Sequence, residues 1–186
     1  MKKISIFLAD GFEEIEGLTV VDLLRRAQIV VDMVSVTTEI IVHGAHQIAV
    51  KADCLFDDTD FADSDVLVLP GGMPGTTNLR NHDGLTALLQ ERNENKQLLA
   101  AICAAPGIFG QLGFLKGRQA TSYPSVEDQL TGAAICHEPV VQDGHIITSR
   151  GVGTAIPFAL KLIEILVSKE KADALAKTIV FTDASA

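Results

Sequence analysis

The sequence predicts an α/β fold in which a mostly parallel central sheet carries helices on both faces. Short apolar runs alternate along the chain with longer amphipathic segments, which is the order that crossover helices between parallel strands produce. The composition fits buried strands, because the 186 residues are 47% hydrophobic and include no Trp and a single Tyr. We predict one domain over residues 1–186, since the length suits a single domain and no repeat or linker interrupts it.

The apolar runs predict the strands of the sheet. The clearest runs are bounded by turn-forming residues and cover Ile4–Ala9, Ile29–Val36, Val66–Leu69 and Leu98–Ile102. A shorter strand is predicted at Ala120-Thr121. Two hairpins complete the β-structure: one joins 40–42 to 47–50, and one spans 140–148, where Asp143-Gly144 is a strong turn signal.

Periodic segments between the strands predict the helices. These segments are 13–27, 84–95, a short stretch from 103 to 112, 124–130, 154–167 and 169–177. Ser168 is expected to cap the last of them, because a serine hydroxyl accepts hydrogen bonds from the free N–H groups at a helix start. Glu13 and Glu14 are interpreted as negative charges that suit the positive end of the first helix dipole.

Charge and composition argue against several classes of protein. The net charge of −9, the absence of a Lys/Arg cluster and a pI near 4.9 argue against a nucleic-acid partner. The best candidate for a membrane helix, 156–167, is too short and is broken by Lys161 and Glu164. The acidic residues after Ala9 argue against a secretory signal, and the odd number of widely spaced cysteines indicates reduced thiols. We therefore predict a cytoplasmic protein that binds neither nucleic acid nor membranes.

The stretch from Leu98 to Gly107 carries the strongest chemical signal. An apolar run is followed by one thiol and then by small residues and a proline, which predicts a buried strand that turns sharply into a helix. The N–H groups at that helix start are expected to favour the thiolate of Cys103. The alternative is a structural cysteine, because free cysteines are often buried in cores.

A nucleophilic thiol needs donors that stabilise the oxyanion formed at a carbonyl group. The loop Pro70-Gly71-Gly72 follows a buried strand, and its glycines allow the backbone to approach the thiol closely. Ala104, at the predicted helix start, offers a second N–H group. The alternative for the two glycines is an ordinary turn between a strand and a helix.

The proton partner of the thiol is predicted to be acidic. The five histidines fall on predicted loops or hairpins and are interpreted as solvated residues: His43, His46, His82, His137 and His145. Glu16 instead shares a helical face with Val20 and Leu23, which directs its carboxyl group toward the core. Burial and a neighbouring thiolate both raise the pKa of such a group, so that it can share a proton with sulfur.

Other motifs give no metal or cofactor site. The pairs His43/His46 and Cys136/His137 lack the spacing of metal ligands, so no metal is predicted. The segment Gly151-Val152-Gly153 lacks the third glycine of a dinucleotide-binding motif and is interpreted as a tight turn before a helix.

Four segments follow one another with compatible spacing: Asp10-Gly11-Phe12-Glu13-Glu14-Ile15-Glu16, Val66-Leu67-Val68-Leu69-Pro70-Gly71-Gly72, Ala100-Ala101-Ile102-Cys103-Ala104-Ala105-Pro106 and Thr148-Ser149-Arg150-Gly151-Val152-Gly153-Thr154. Together they resemble the DJ-1/ThiJ/PfpI family, and within it the DJ-1/YajL-like branch, from residue 1 to about 180. The resemblance implies a flavodoxin-like sandwich with a nucleophile elbow after a central strand, a homodimer and no cofactor. It also implies the site residues, which are Cys103 as the nucleophile, Glu16 as its protonated partner, Gly72 and Ala104 as oxyanion donors, and Gly71, Tyr123 and Arg150 around the pocket.

The same resemblance implies an activity. It predicts a cysteine-dependent enzyme of oxidative or carbonyl stress defence that converts small reactive carbonyls, such as methylglyoxal and glyoxal, into hydroxy acids without glutathione, together with a protein deglycase activity. The alternative is a non-enzymatic oxidation sensor or chaperone-like stress protein that uses the same cysteine. An amidotransferase-like subunit is disfavoured, because its His and acid are normally separated by one residue and His137-Glu138 is the only pair available.

Two positions depart from relatives in this family. The peptidase branch carries His directly after the nucleophile, whereas this chain has Ala104, so a Cys-His peptidase is not expected. Many relatives carry a histidine before a proline near the thiol, where this chain has Tyr123-Pro124. A tyrosine hydroxyl at that position can still donate a hydrogen bond.

Overall fold

A seven-stranded sheet forms the centre of the molecule in the computed structural model, which describes residues 1–182. The strands are β1 (Lys3–Leu8), β2 (Val30–Ser35), β3 (Ile41–His43), β4 (Ala49–Lys51), β5 (Cys54–Leu55), β6 (Val66–Leu69), β7 (Leu98–Ile102), β8 (Gln119–Ala120), β9 (Ala134–Ile135), β10 (Val140–Asp143) and β11 (Ile146–Ser149). The central sheet has the order β10-β11-β7-β6-β1-β2-β5, and all of its pairs are parallel except β10 with β11. The prediction of a mostly parallel sheet is confirmed.

Helices cover both faces of this sheet, as predicted. They are α1 (Glu14–Arg26), α2 (Gly75–Arg80), α3 (Asp83–Glu94), α4 (Pro106–Gln111), α5 (Ala155–Leu166) and α6 (Lys169–Thr178), with 3-10 turns at Phe56–Asp58, Pro124–Gln129 and Val152–Thr154. Helices α1, α5 and α6 contribute to the core on one face, and α2, α3 and α4 contribute to the core on the other.

The strands read as continuous apolar runs because both of their faces are buried. In β1, Ile4 and Ile6 pack into the core beneath α1 and α5, whereas Phe7 packs into the opposite core. In β7, Ile102 joins the first core and Leu99 the second. Side chains of a strand alternate between its faces, so a strand covered on both sides is mostly apolar. Ser5 of β1 is a buried polar exception, and its hydroxyl lies 2.7 Å from that of Ser64.

Several predicted elements are confirmed and a few are corrected. Ser168 caps α6 as predicted, and its hydroxyl accepts a hydrogen bond from the N–H of Lys171 at 3.2 Å. The predicted helix at 124–130 is a 3-10 turn, which suits a short connector. Helix α2 was missed because its sequence, GTTNLR, is poor in helix-forming residues. The single-domain prediction extends to residues 183–186, which lie outside the described residues.

The strand order determines where functional side chains meet. Four neighbouring strands, β11, β7, β6 and β1, run parallel, so their carboxyl ends lie at one edge of the sheet. Ligands of such sheets bind outside this edge. Among residues 1–182 no helix is long and apolar enough to cross a membrane.

Candidate active site

Cys103 follows β7 directly and adopts a left-handed backbone conformation with φ of +66°. This region is uncommon for residues other than glycine and costs about 1–3 kcal/mol, so surrounding contacts must hold it. The N–H of Cys103 donates to the carbonyl of Ser149 at 3.0 Å, and its own carbonyl accepts from the N–H of Tyr123 at 2.9 Å. The predicted elbow is therefore present, and hydrogen bonds fix it on both sides.

Glu16 reaches the same place from the first turn of α1, as its helical periodicity predicted. The residue is completely buried. Its Oε2 atom accepts a hydrogen bond from the N–H of Gly71 at 2.9 Å. Its Oε1 atom is buried and meets no hydrogen-bond partner within residues 1–182. A buried carboxyl oxygen without a partner is costly, so packing alone does not explain the position of Oε1.

Burial dominates the ionisation of both groups. It raises the pKa of Glu16 to about 7, although the contacts with Cys103 and with the N–H of Gly71 act in the opposite direction. The pKa of Cys103 is raised from 9.0 to about 12, chiefly by burial and also by the charge of Glu16 and its contact with the thiol. At neutral pH a protonated thiol therefore lies beside a carboxyl group whose pKa is close to the pH.

The expected effect of the helix start on Cys103 is present but does not prevail. The N–H groups of Ala104 and Gly72 lower the pKa of the thiol, as predicted for donors that face it. Burial and the neighbouring carboxylate outweigh them, so the prediction of a favoured thiolate is wrong for the state in which Glu16 is ionised.

The two glycines after β6 allow the close approach of backbone to thiol. A Cβ atom on Gly71 would lie 2.6 Å from both Cys103 Cβ and Glu16 Oε2, which no side chain tolerates. Gly72 has φ of +91°, and a Cβ atom there would lie 2.3 Å from the backbone nitrogen of Glu13. These positions require glycine for space and conformation, so the alternative of an ordinary turn does not explain them.

The remaining predicted pocket residues lie in different surroundings. Tyr123 is 50% exposed, and its ring edge lies beside Gly151, which follows β11. The guanidinium of Arg150 instead contacts His137 Nδ1 at 2.9 Å and Glu127 Oε1 at 3.7 Å. The pocket role of Arg150 therefore stays a prediction. Sequence reasoning missed Gly151, which it interpreted only as part of a turn.

Two interpretations of polar residues are corrected by their contacts. His145 is not a solvated loop residue; it is buried, and its Nε2 lies 2.9 Å from Asn93 Oδ1. Glu14 is more than a surface charge at a helix start, because it is buried and accepts hydrogen bonds from the N–H of His46 at 2.7 Å and its Nδ1 at 2.8 Å. Its partner lies in the hairpin of β3 and β4, which local sequence does not reveal.

One set of three described residues brings two carboxylates and one imidazole together. Atoms of Glu13, Glu14 and His46 lie within 4.8 Å of one another. The shortest contact among them is the hydrogen bond between His46 and Glu14, which raises the pKa of the imidazole and lowers that of the carboxyl. The arrangement is explained as an ion pair that fastens the hairpin to α1.

The match to a protein family covers most of the chain. The sequence model of the DJ-1/PfpI family matches residues 2–165 of the chain. The chain belongs to the DJ-1/PfpI family. Its flavodoxin-like fold is shared with the solved structure of oxidized DJ-1 from Toxoplasma gondii, at a TM-score of 0.94 and 36% identity over 98% of this chain and 100% of that one.

Two curated members of the DJ-1/PfpI family show the range of relatives. Protein DJ-1 homolog A of Arabidopsis thaliana is 39% identical over 96% of this chain, and the chain spans less than half of that protein, 46% of its length. The protein named glutathione-independent glyoxalase DJ-1 of Schizosaccharomyces pombe is 32% identical over 96% of this chain and 98% of its own length.

Proposed function

We propose that this protein is a cofactor-independent enzyme that converts small α-oxoaldehydes into hydroxy acids, with Cys103 as nucleophile. The observation that carries the proposal is the meeting of the Cys103 thiol, the unpartnered Oε1 atom of Glu16 and the N–H groups of Gly72 and Ala104 in one place. The glyoxalase name of the relative from Schizosaccharomyces pombe supports this reaction class. The same thiol attack would serve the predicted deglycase activity on glycated amino groups.

The first step is addition of sulfur to the aldehyde carbon. The Glu16 carboxylate takes the thiol proton, and the sulfur electron pair forms a bond to carbon while the carbonyl π pair moves to oxygen. Moving the proton to Glu16 removes the charge that raised the pKa of Cys103, and the single negative charge passes from the carboxylate to sulfur and then to the substrate oxygen. The N–H groups of Gly72 and Ala104 face the sulfur and are placed to stabilise the resulting oxyanion.

The second step moves protons within the adduct. Glu16 first gives the thiol proton to the oxyanion, and its carboxylate then removes the proton from the former aldehyde carbon and returns it to the neighbouring carbonyl carbon. The hydroxyl proton of the first carbon moves to the neighbouring oxygen, so that the first carbon is oxidised and the second reduced. The product is a thioester of a hydroxy acid, and water releases it as the free acid and restores the thiol. The overall change is addition of one water molecule, with no external oxidant or reductant. A group with a pKa of about 7 suits both proton transfers.

The test is turnover of methylglyoxal and glyoxal by purified protein without glutathione or added metal. We expect Cys103→Ser to lower the rate of lactate or glycolate formation at least 100-fold, because a serine hydroxyl is far less nucleophilic than a thiol. Cys54→Ser and Cys136→Ser are matched controls, since both thiols are partly buried and neither is paired with Glu16. A wild type without turnover, or a Cys103→Ser variant with wild-type turnover, would contradict the proposal.

Oxidation sensing is the second candidate. The relative from Toxoplasma gondii was solved in a form described as oxidized. In this chain the N–H groups of Gly72 and Ala104 would also stabilise an anionic sulfinate on Cys103, while a protonated Glu16 would donate to it. Stoichiometric addition of two oxygen atoms to Cys103 under mild peroxide, seen by mass spectrometry without carbonyl turnover, would favour this candidate.

We further propose a homodimer in the cytoplasm. A groove of about 650 Å³ between α1, the hairpin of β3 and β4, and α5 is lined by apolar residues that include Ile15, Leu18, Ile48 and Ile156. Ile15 is 52% exposed and Ile48 53% exposed, which is unusual for two large apolar side chains on one face. A second copy is the occupant that the family resemblance implies, and a two-fold axis would place the same apolar face on itself. The three unpaired cysteines support a reducing compartment.

A further inference from the structure

Gly151 stands at the end of β11 in a conformation that does not require glycine. Its φ of 160° and ψ of −163° are extended backbone, which any residue adopts. Its immediate contacts also leave room, because a Cβ atom would lie 3.4 Å from Tyr123 Cδ2, 3.8 Å from Cys103 Sγ and 3.8 Å from Glu16 Oε1. All three distances are ordinary van der Waals contacts. The absence of a side chain therefore leaves a methyl-sized hollow bounded by the ring, the thiol and the free carboxyl oxygen.

Hydrogen bonds hold this hollow in place. Thr154 Oγ1 accepts from the N–H of Gly151 at 3.0 Å and from the N–H of Arg150 at 3.2 Å. The carbonyl of Ser149, two residues before Gly151, accepts from the N–H of Cys103 at 3.0 Å. The walls of the hollow are thus tied to each other through the backbone, and their separation is set by the fold.

The position of the hollow matches the needs of the proposed reaction. A carbon atom about to react lies roughly 3–3.5 Å from its nucleophile. An atom in the Gly151 hollow lies slightly beyond that distance from Cys103 Sγ and equally close to Glu16 Oε1, the two groups that must act on the same substrate. Neither packing nor backbone conformation explains why this position carries no side chain, in contrast to Gly71.

We propose that the Gly151 hollow seats the electrophilic carbon of the substrate and, with the Tyr123 ring as its outer wall, restricts the site to small unbranched aldehydes and α-oxoaldehydes. Gly151 and Tyr123 are then specificity-determining residues. The proposal rests on the proposed function for its substrate class. The hollow itself is testable through any carbon electrophile that reaches Cys103.

The experiment compares Gly151→Ala with Gly153→Ala. Gly153 lies two residues away, and a Cβ atom there meets nothing within 4 Å, so it is a matched control. The rate at which iodoacetamide alkylates Cys103 is measured at several pH values from 6 to 10 by peptide mass spectrometry. At every pH this rate should be at least tenfold lower than that of wild type in Gly151→Ala. In Gly153→Ala it should stay within twofold of wild type. A change of thiol ionisation alone would instead shift the pH profile. Turnover of methylglyoxal is measured in parallel and should fall at least as much.

The outcomes separate the two proposals. Slower alkylation of Gly151→Ala in a protein whose wild type does not turn over methylglyoxal would support the hollow and refute the glyoxalase reaction. Alkylation within twofold of wild type, with an unchanged thermal midpoint, would overturn the hollow. If Gly151→Ala does not fold, Tyr123→Ala tests the proposal instead. In this variant the ratio of the Cys103 alkylation rate with bulky N-ethylmaleimide to that with iodoacetamide should rise at least fivefold. An unchanged ratio would overturn the proposal.

Discussion

The burial of Glu16 beside the Cys103 thiol lowers the stability of the folded protein at neutral pH. Burial raises the pKa of this carboxyl from 4.5 to about 7, so the folded protein holds a proton that the unfolded chain has already released. Stability is therefore lost as the pH rises from about 4.5 to about 7, by roughly 3 kcal/mol for a shift of this size. A neutral side chain at this position would avoid the loss of stability, so the needs of the fold alone do not explain this carboxyl.

The substitution Glu16→Gln tests this cost. We expect its free energy of unfolding, relative to that of wild type, to increase by roughly 3 kcal/mol between pH 4.5 and pH 8, because the neutral amide has no charge to bury. Urea unfolding at both pH values measures the difference, and effects of the amide on packing cancel because they do not depend on pH. A difference that stays constant across this range would show that Glu16 ionises normally in the folded state.

At the scale of elements, a buried carboxylate helps to hold the hairpin of β3 and β4 against α1, beside backbone hydrogen bonds such as that from the N–H of Ala45 to the carbonyl of Phe12 at 2.8 Å. Glu14 accepts hydrogen bonds from the backbone and the ring of His46, and a Cβ atom on Gly44 would lie 2.2 Å from its carboxyl carbon. The contact raises the pKa of His46, so its contribution is complete below pH 6.5 and is lost as the pH rises through the raised value. Only this part of the attachment weakens as the pH rises through the raised pKa of His46, since the hydrogen bond from the N–H of His46 to Glu14 and that from the N–H of Ala45 to the carbonyl of Phe12 remain.

We predict that Glu14→Gln accelerates hydrogen exchange of the His46 amide at least tenfold. A neutral amide oxygen accepts hydrogen bonds more weakly than a carboxylate, by about 1 kcal/mol or more per bond. Exchange followed by NMR gives the rate for each amide. Glu39→Gln is the control, since Glu39 is exposed and its described hydrogen bonds use its backbone. Equal effects of both substitutions would mean that the hairpin does not depend on Glu14.

Local sequence patterns predicted most of the strands and helices. They carried less information about which side chains from different elements contact one another. The apolar run before Cys103 and the periodicity of Glu16 were readable, because each reflects burial within a single strand or helix. The burial of His145 was not readable, because its partner Asn93 comes from a different element. Gly151 was missed for a related reason: its importance is the space beside Cys103 and Glu16, which exists only after β11 and β7 pair.

At the scale of the whole molecule, the exposed apolar face on α1 determines the expected assembly. We predict that Ile15→Glu shifts the protein from dimer to monomer at micromolar concentration, because two copies of the new charge would be buried opposite each other. Analytical ultracentrifugation measures the change. Ile135→Glu is the control, since Ile135 is 44% exposed on β9 and does not line the groove. A wild type that is already monomeric, or a dimer that survives Ile15→Glu, would contradict this assignment.

The positions of the site residues along the chain also determine when the site forms during synthesis. Glu16 leaves the ribosome early, whereas Ser149 and Gly151, which hold and border the elbow, are made after most of the sheet. Because domains fold as units and long-range parallel pairing forms slowly, a nascent chain carries Cys103 as an ordinary exposed thiol. The raised pKa values of Glu16 and Cys103 arise only when the fold buries both groups. In an incomplete chain, Cys103 can therefore react with any thiol-reactive compound. In the folded protein, the burial of Cys103 limits such reactions.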